Sequence, residues 1–279
     1  MTTHDELEQA HRRWQERRHA ELAAADSWLG LIALAWLEAG SNSVGSAPEC
    51  TVVLPTGPAR LGELVVDGSE VAWLPAGEGM AVVEAGRAAA GGRWLLASDA
   101  QGQPSRIVAG DLVMFVIERE GRLAVRLRDR AWASRRSFAG LETYAYDPAW
   151  RIDADWEAID PPLAMAVPNV TGDVKSVLVS RRAVFAVAGH LVTLLPMEVD
   201  DEGVFFIFRD ATSGRQTYGA GRFLRAPAPV GGRITLDFNR AYNPPCAFTS
   251  FATCPLPPPE NWLPFAVPAG ERKWLSDQH

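Results

Sequence analysis

From Cys50 onward the chain is a succession of short apolar runs broken by Gly, Pro, Asp and Ser, and that rhythm limits the fold more than any other feature. Residues 51–54, 62–66, 70–73, 80–83 and 93–96 carry the runs, at the spacing expected of antiparallel sheets. Val66-Asp67-Gly68 marks a hairpin turn. A longer hairpin is expected where residues 111–118 turn at Glu120-Gly121 into 122–128. There Leu123, Val125 and Leu127 alternate with Ala124, Arg126 and Arg128, giving one core face and one charged face. A later hairpin joins residues 183–187 to 191–195, with 204–208 following it. The chain is therefore predicted to be mainly β, with two antiparallel β subdomains of sandwich or barrel type.

The region before Cys50 reads as helical. Residues 3–25 are rich in Glu, Gln, Arg and Ala, and Leu7, Trp14 and Leu22 fall on one narrow stripe. This predicts a surface helix that caps the β core and can be removed without unfolding it. A second, buried helix is expected over 28–37, with Ser27 as its N-cap and Gly40 ending it. The expected organisation is a helical segment over 1–45, a first β subdomain over 46–160 and a second over 161–279, with Pro161-Pro162 marking the boundary.

With 47% apolar residues and ten tryptophans in 279 residues, the chain can bury a large core. Its net charge of −7 supplies no field for a polyanion, so nucleic acid is not an expected partner. The apolar run over 28–37 is half the roughly 20 residues that a membrane span needs, and a charged segment precedes it where a signal peptide would carry its basic region. These features predict a cytoplasmic protein with no membrane partner. They leave the oligomeric state open.

Specific polar chemistry concentrates between Arg209 and Asn261. Arg209, Arg215 and Arg222 offer forked donors suited to a carboxylate or phosphate, with Asp210, Thr212, Thr217 and Tyr218 placed to orient them. Asp237, Asn239, Arg240, Tyr242, Asn243, Cys246 and Cys254 follow, ahead of the stiff run Pro257-Pro258-Pro259. Together they predict a polar pocket for a small anionic ligand. Arg209, Asp210, Arg215, Tyr218, Arg222, Asn239, Tyr242 and Asn243 are its binding residues, and Arg222 is expected to face Asp237, Asp210 or Tyr218. Asp237 is the candidate acid or base of a hydrolase-type enzyme, and Cys246 the candidate nucleophile or redox thiol. The competing readings are a noncatalytic binding module and a polar staple that only holds loops in place.

The stretches Phe208-Arg209-Asp210-Ala211-Thr212-Ser213-Gly214, Thr217-Tyr218-Gly219-Ala220-Gly221-Arg222-Phe223-Leu224 and Asp237-Phe238-Asn239-Arg240-Ala241-Tyr242-Asn243-Pro244-Pro245-Cys246-Ala247-Phe248 resemble the signature of a bacterial and archaeal family known as domain of unknown function 1684. The resemblance extends to 28–31, 42–46 and 126–129. It implies that these motifs belong together and implies no activity.

Other chemistries find less support. Of five histidines, His4, His11 and His19 lie in the N-terminal segment and His279 is the last residue, which leaves His190 as the histidine expected in the core, and no Gly-x-Ser-x-Gly elbow occurs. Cys246 and Cys254 are separated by seven residues, unlike the short Cys-x-x-Cys spacing of zinc sites. No zinc ligand set and no cofactor is implied, and an oxygen-rich site around Asp237 and Asp210 stays open.

Overall fold

The computed structural model describes residues 4–136, 138–187 and 189–274. By its contacts the chain forms two units, Ala23–Phe138 and a second that joins Met1–Leu22 to Ala139–His279. Pro161-Pro162, expected to mark a boundary, lies instead inside the long strand Arg151–Pro168.

In the unit Ala23–Phe138, two sheets share one core. The first has the strand order Leu31–Trp36, Arg122–Asp129, Leu112–Arg119, Arg106–Ala109, Val82–Glu84. The second runs Val52–Val53, Gly40–Gly45, Gly62–Asp67, Glu70–Pro75, Arg93–Leu96, Arg87–Ala89. Val44, Leu64 and Trp73 from one sheet and Ile107, Met114 and Val125 from the other form a single buried cluster, as in a sandwich. The predicted hairpins are present. Leu112–Arg119 pairs with Arg122–Asp129 throughout, and Asp67 faces Glu70 across a turn in which Gly68 adopts φ 59°.

The buried helix expected over 28–37 is absent. Ser27 does cap, accepting from the Leu29 amide at 3.3 Å, but it opens only the single 3-10 turn Trp28–Gly30. Leu31–Trp36 then leaves as a strand and pairs with Arg122–Asp129. A continuous apolar run of this length suits a buried strand as well as a buried helix, and pairing with an adjacent strand decided between them.

In the other unit, a four-stranded sheet has the order His190–Leu194, Val174–Val187, Arg151–Pro168, Arg233–Asp237. A three-stranded sheet has the order Glu198–Asp200, Gly203–Phe208, Arg222–Ala226. Phe185, Phe206, Phe208, Leu224, Leu236 and Phe238 meet between them. Beyond Asp237 the chain becomes an irregular strap whose only helical pieces among the described residues are the 3-10 turns Phe238–Arg240, Pro245–Ala247 and Pro259–Asn261. Asn261 fixes the strap. Its side chain, with no exposed surface, accepts from the Leu195 amide at 2.8 Å and donates to the carbonyls of Leu195 and Ile207 at 2.8 and 2.9 Å.

The helix His4–Ala23 belongs to this same unit, and it is more than a removable cap. Leu22 and His11 are buried on it. Arg18 donates to Glu271 at 2.9 Å and to the Asn243 carbonyl at 3.0 Å. The expected helix start at Thr3 lies outside the described residues. Among the described residues, no helix is long and apolar enough to cross a membrane.

Candidate functional site

The residues singled out between Arg209 and Asn261 fall into separate clusters of this second unit. Arg222 lies on the strand Arg222–Ala226 and exposes no surface, and its expected partner Asp210 is equally enclosed. Arg222 Nη2 donates to Asp210 Oδ2 at 2.8 Å and to the Val267 carbonyl at 2.9 Å, and Nη1 donates to the Ala269 carbonyl. Asp210 Oδ1 accepts from the amide and hydroxyl of Thr212 at 2.7 and 2.6 Å and from the Val267 amide at 3.2 Å. The Thr212 hydroxyl lies 2.8 Å from that of Thr217. This network ties the strap at 267–269 to the turn at 210–217. Both charges are enclosed and bonded to the protein, with Arg222 Nε the one guanidinium nitrogen that has no hydrogen-bond partner among the described residues.

Gly221 explains how the backbone delivers Arg222 there. Its φ is 95°, and a Cβ at this position would lie 2.5 Å from the Phe208 carbonyl oxygen. The other two arginines go elsewhere. Arg209 stacks over the Trp262 ring at 4.8 Å, and Arg215 is exposed. The three guanidinium groups therefore do not converge on one ligand.

Several expected binding residues have structural partners. The Asn239 amide group donates to the Asp147 carbonyl at 2.9 Å and to Asp237 at 3.0 Å, and its Oδ1 accepts from the Asp147 amide at 3.0 Å. Asn243 donates through its backbone to Glu271 Oε2 at 2.6 Å and through its side chain to the Arg272 carbonyl at 2.8 Å. Tyr242 stands edge-on to Phe223, with Arg18 over its ring at 5.1 Å, and burial raises its pKa. Burial also pushes the Glu271 carboxyl above its ordinary range, opposed by Arg18.

Asp237, the candidate acid or base, ends the strand Arg233–Asp237 with its side chain partly exposed. Arg240 Nε lies 3.5 Å from its Oδ2. Next to this pair the helix supplies a residue that the sequence reading set aside. His11 is 3% exposed, and neither ring nitrogen has a hydrogen-bond partner among the described residues. Its ring lies 5.4 Å from that of Tyr146 and 5.7 Å from that of Trp14. The Tyr146 hydroxyl and Arg240 Nε are likewise buried without a hydrogen-bond partner among the described residues. Buried polar groups are nearly always hydrogen-bonded, so His11 and the Tyr146 hydroxyl, both within the electrostatic reach of the Asp237–Arg240 pair, stand out. Burial holds the His11 pKa below its ordinary value, against the raising influence of Asp237 and Glu8 and with Arg240 adding to the depression. The imidazole is therefore neutral at pH 7, with one N–H and one lone pair to offer. One signal could have found it. His11 falls four residues after Leu7 and three before Trp14, on the very stripe that predicted the helix's inner face.

Cys246 forms a third cluster with Tyr218 and Cys254. The Tyr218 hydroxyl donates to the Cys246 carbonyl at 2.8 Å, and the Cys246 amide donates to Cys254 Sγ at 3.2 Å. None of Cys50, Cys246 and Cys254 is in a disulfide.

A family model described as Protein of unknown function (DUF1684) matches residues 136–272. The match covers the polar motifs and leaves 28–31, 42–46 and 126–129 outside it. The solution NMR structure of an uncharacterized protein from Haloarcula marismortui is 31% identical, covering 54% of this chain and 90% of that chain, with a TM-score of 0.42. Nothing among the curated proteins matches the sequence.

Proposed function

The chain belongs to the family described as Protein of unknown function (DUF1684), and from that premise we propose that it binds a small anionic molecule where His11, Tyr146, Asp237 and Arg240 meet. The observation that carries this reading is the pair of unbonded ring nitrogens on a histidine 3% exposed. A ligand oxygen there would meet three donors, from His11, Tyr146 and Arg240, and their desolvation cost would be offset by the bonds that it forms. Arg240 and Asp237 are the partly exposed members and form the outer edge.

Binding is favoured over hydrolysis. A neutral imidazole beside a carboxylate is the pair a general base uses, but no hydrogen bond joins His11 to Asp237, so the orienting contact of a catalytic dyad is missing. In this reading the Arg222 network is the structural support of the strap and takes no part in binding.

The test is NMR of the full chain carrying nitrogen-labelled histidine, titrated with acetate and with inorganic phosphate. Saturable shifts of the His11 resonances that disappear in Arg240→Gln support the reading. His11 resonances that stay fixed with both anions, in a chain that still melts cooperatively, overturn it. Turnover of a metabolite panel that is lost in Asp237→Asn would convert the binding site into an enzyme.

A further inference from the structure

Independently of that site, the strap carries a second centre of chemistry. Cys246 sits on the 3-10 turn Pro245–Ala247 and Cys254 ends the loop that follows, ahead of Pro255. The Cys246 amide is 3.2 Å from Cys254 Sγ, so the two side chains occupy one neighbourhood and rotation about the Cα–Cβ bond of Cys246 can bring the sulfurs together. Cys246 is partly exposed, whereas Cys254 is 4% exposed among Ile207, Phe223 and Ala252. Tyr218 closes the other side by donating to the Cys246 carbonyl.

We propose that Cys246 and Cys254 form a peroxide-oxidisable thiol pair, with Cys246 the sulfur attacked first and Cys254 the sulfur that resolves it. The accessible member of the pair meets the oxidant, and the enclosed one lies within reach of the product. The Cys246 thiolate attacks one oxygen of hydrogen peroxide, the O–O bond breaks, hydroxide leaves, and Cys246 becomes a sulfenic acid. The Cys254 sulfur then attacks the sulfenic sulfur and displaces its oxygen as water, leaving a disulfide. Two thiols lose two electrons and two protons, and peroxide becomes two waters. The local chemistry suits the first step. The hydrogen bond from Cys254 lowers the pKa of Cys246, burial opposes it and Tyr218 lowers it further, to about 7. A thiol at that value is about half ionised at neutral pH. Cys50 is buried in the other unit and serves as the internal control.

The experiment treats the full chain, native and at neutral pH, with a small excess of hydrogen peroxide, then maps peptides by mass spectrometry without reduction. The expected product is a Cys246–Cys254 cross-link, with the loss of two hydrogens and Cys50 unmodified. Cys254→Ser should stall at a sulfenic acid that a cyclic diketone traps on Cys246. Cys246→Ser should leave Cys254 reduced. Tyr218→Phe should slow the first step several-fold at pH 7 and shift its pH profile upward, without slowing it at pH 9. Wild-type protein that oxidises first at Cys50, or that yields no Cys246–Cys254 link while Cys246 over-oxidises, overturns the proposal. The wild-type result decides even if a variant fails to fold.

Discussion

The guanidinium of Arg222 and the carboxylate of Asp210 meet at 2.8 Å with neither side chain exposing any surface. Such a pair is costly to break, because removing one charge strands the other in a medium that cannot solvate it. Arg222→Ala should therefore destabilise the protein by about 3–5 kcal/mol. Arg222→Met combined with Asp210→Leu should recover a good part of that loss. Urea unfolding of the three proteins checks this, and an Arg222→Ala variant as stable as wild type would remove the staple from the account.

Gly221 supports the same contact from the backbone side. Its positive φ and the 2.5 Å approach of a Cβ to the Phe208 carbonyl predict that Gly221→Ala costs about 2 kcal/mol or more. Gly219→Ala, which meets no atom nearer than 3.6 Å, is the comparison. Equal melting temperatures for the two variants would show that the strand tolerates a side chain at 221.

Asn261 makes three hydrogen bonds with no exposed surface. Asn261→Ala leaves two carbonyls and an amide unsatisfied and should cost about 2–3 kcal/mol, since each loses a buried partner. Hydrogen exchange reads the consequence locally. The Leu195 amide should lose protection well before the core amides of Ala23–Phe138, whereas unchanged protection there would deny Asn261 its anchoring role.

His11 makes stability depend on pH in a known direction. Its folded pKa is depressed, so between that value and the unfolded value of about 6.5 the unfolded chain holds more protons. Stability should therefore fall as the pH drops below about 6.5, with the loss ending once the folded form also protonates. His11→Phe keeps the stacking on Tyr146 and Trp14 and removes the titration, so its stability curve should be flatter over this window. Glu271, whose pKa is raised, works in the opposite direction and is common to both proteins, so a wild-type curve that loses no more stability on acidification than that of His11→Phe would contradict the depressed pKa.

Removing residues 1–22 tests the helix. The sequence reading expects a mildly weakened protein. The structure predicts more, because Glu271, 1% exposed in the intact chain, loses the Arg18 guanidinium; breaking a pair that stays enclosed costs about 3–5 kcal/mol, and water admitted by the deletion lowers that figure. Calorimetry of the truncated chain should show the unit that contains Ala139–His279 melting earlier, with the transition of Ala23–Phe138 unmoved. Two unshifted transitions would restore the removable cap.

Much of the sheet architecture was legible, because Leu123, Val125 and Leu127 recur with a strand's period of two, but the face expected to be charged and open is covered as well, with Ala124 and Arg126 buried. Asp210 as a partner of Arg222 was legible as well, since a long polar side chain delivered by two glycines into an apolar segment needs a charge to meet. Leu31–Trp36 was not, because an unbroken apolar run carries no period with which to choose between helix and strand. His11 was missed for a different reason. Its position on the inner stripe was visible, but a histidine in a charged segment reads as solvated until the packed rings of Tyr146 and Trp14 are known.

The division of one unit into Met1–Leu22 and Ala139–His279 sets an order of events during synthesis. The helix leaves the ribosome long before Glu271, Asn243 and Tyr146 exist. In the interval the whole of Ala23–Phe138 is made and can fold, because its strand partners all lie within that span. Closing the gap afterwards costs only loop entropy that grows with the logarithm of the spacing, and a folded insert shortens the effective loop further. The nascent helix, meanwhile, carries His11 without the Tyr146 ring that later packs against it. Early termination would thus yield a protein with one finished half and a helix whose inner histidine has lost its cover, and incompletely buried species of this kind are prone to aggregate.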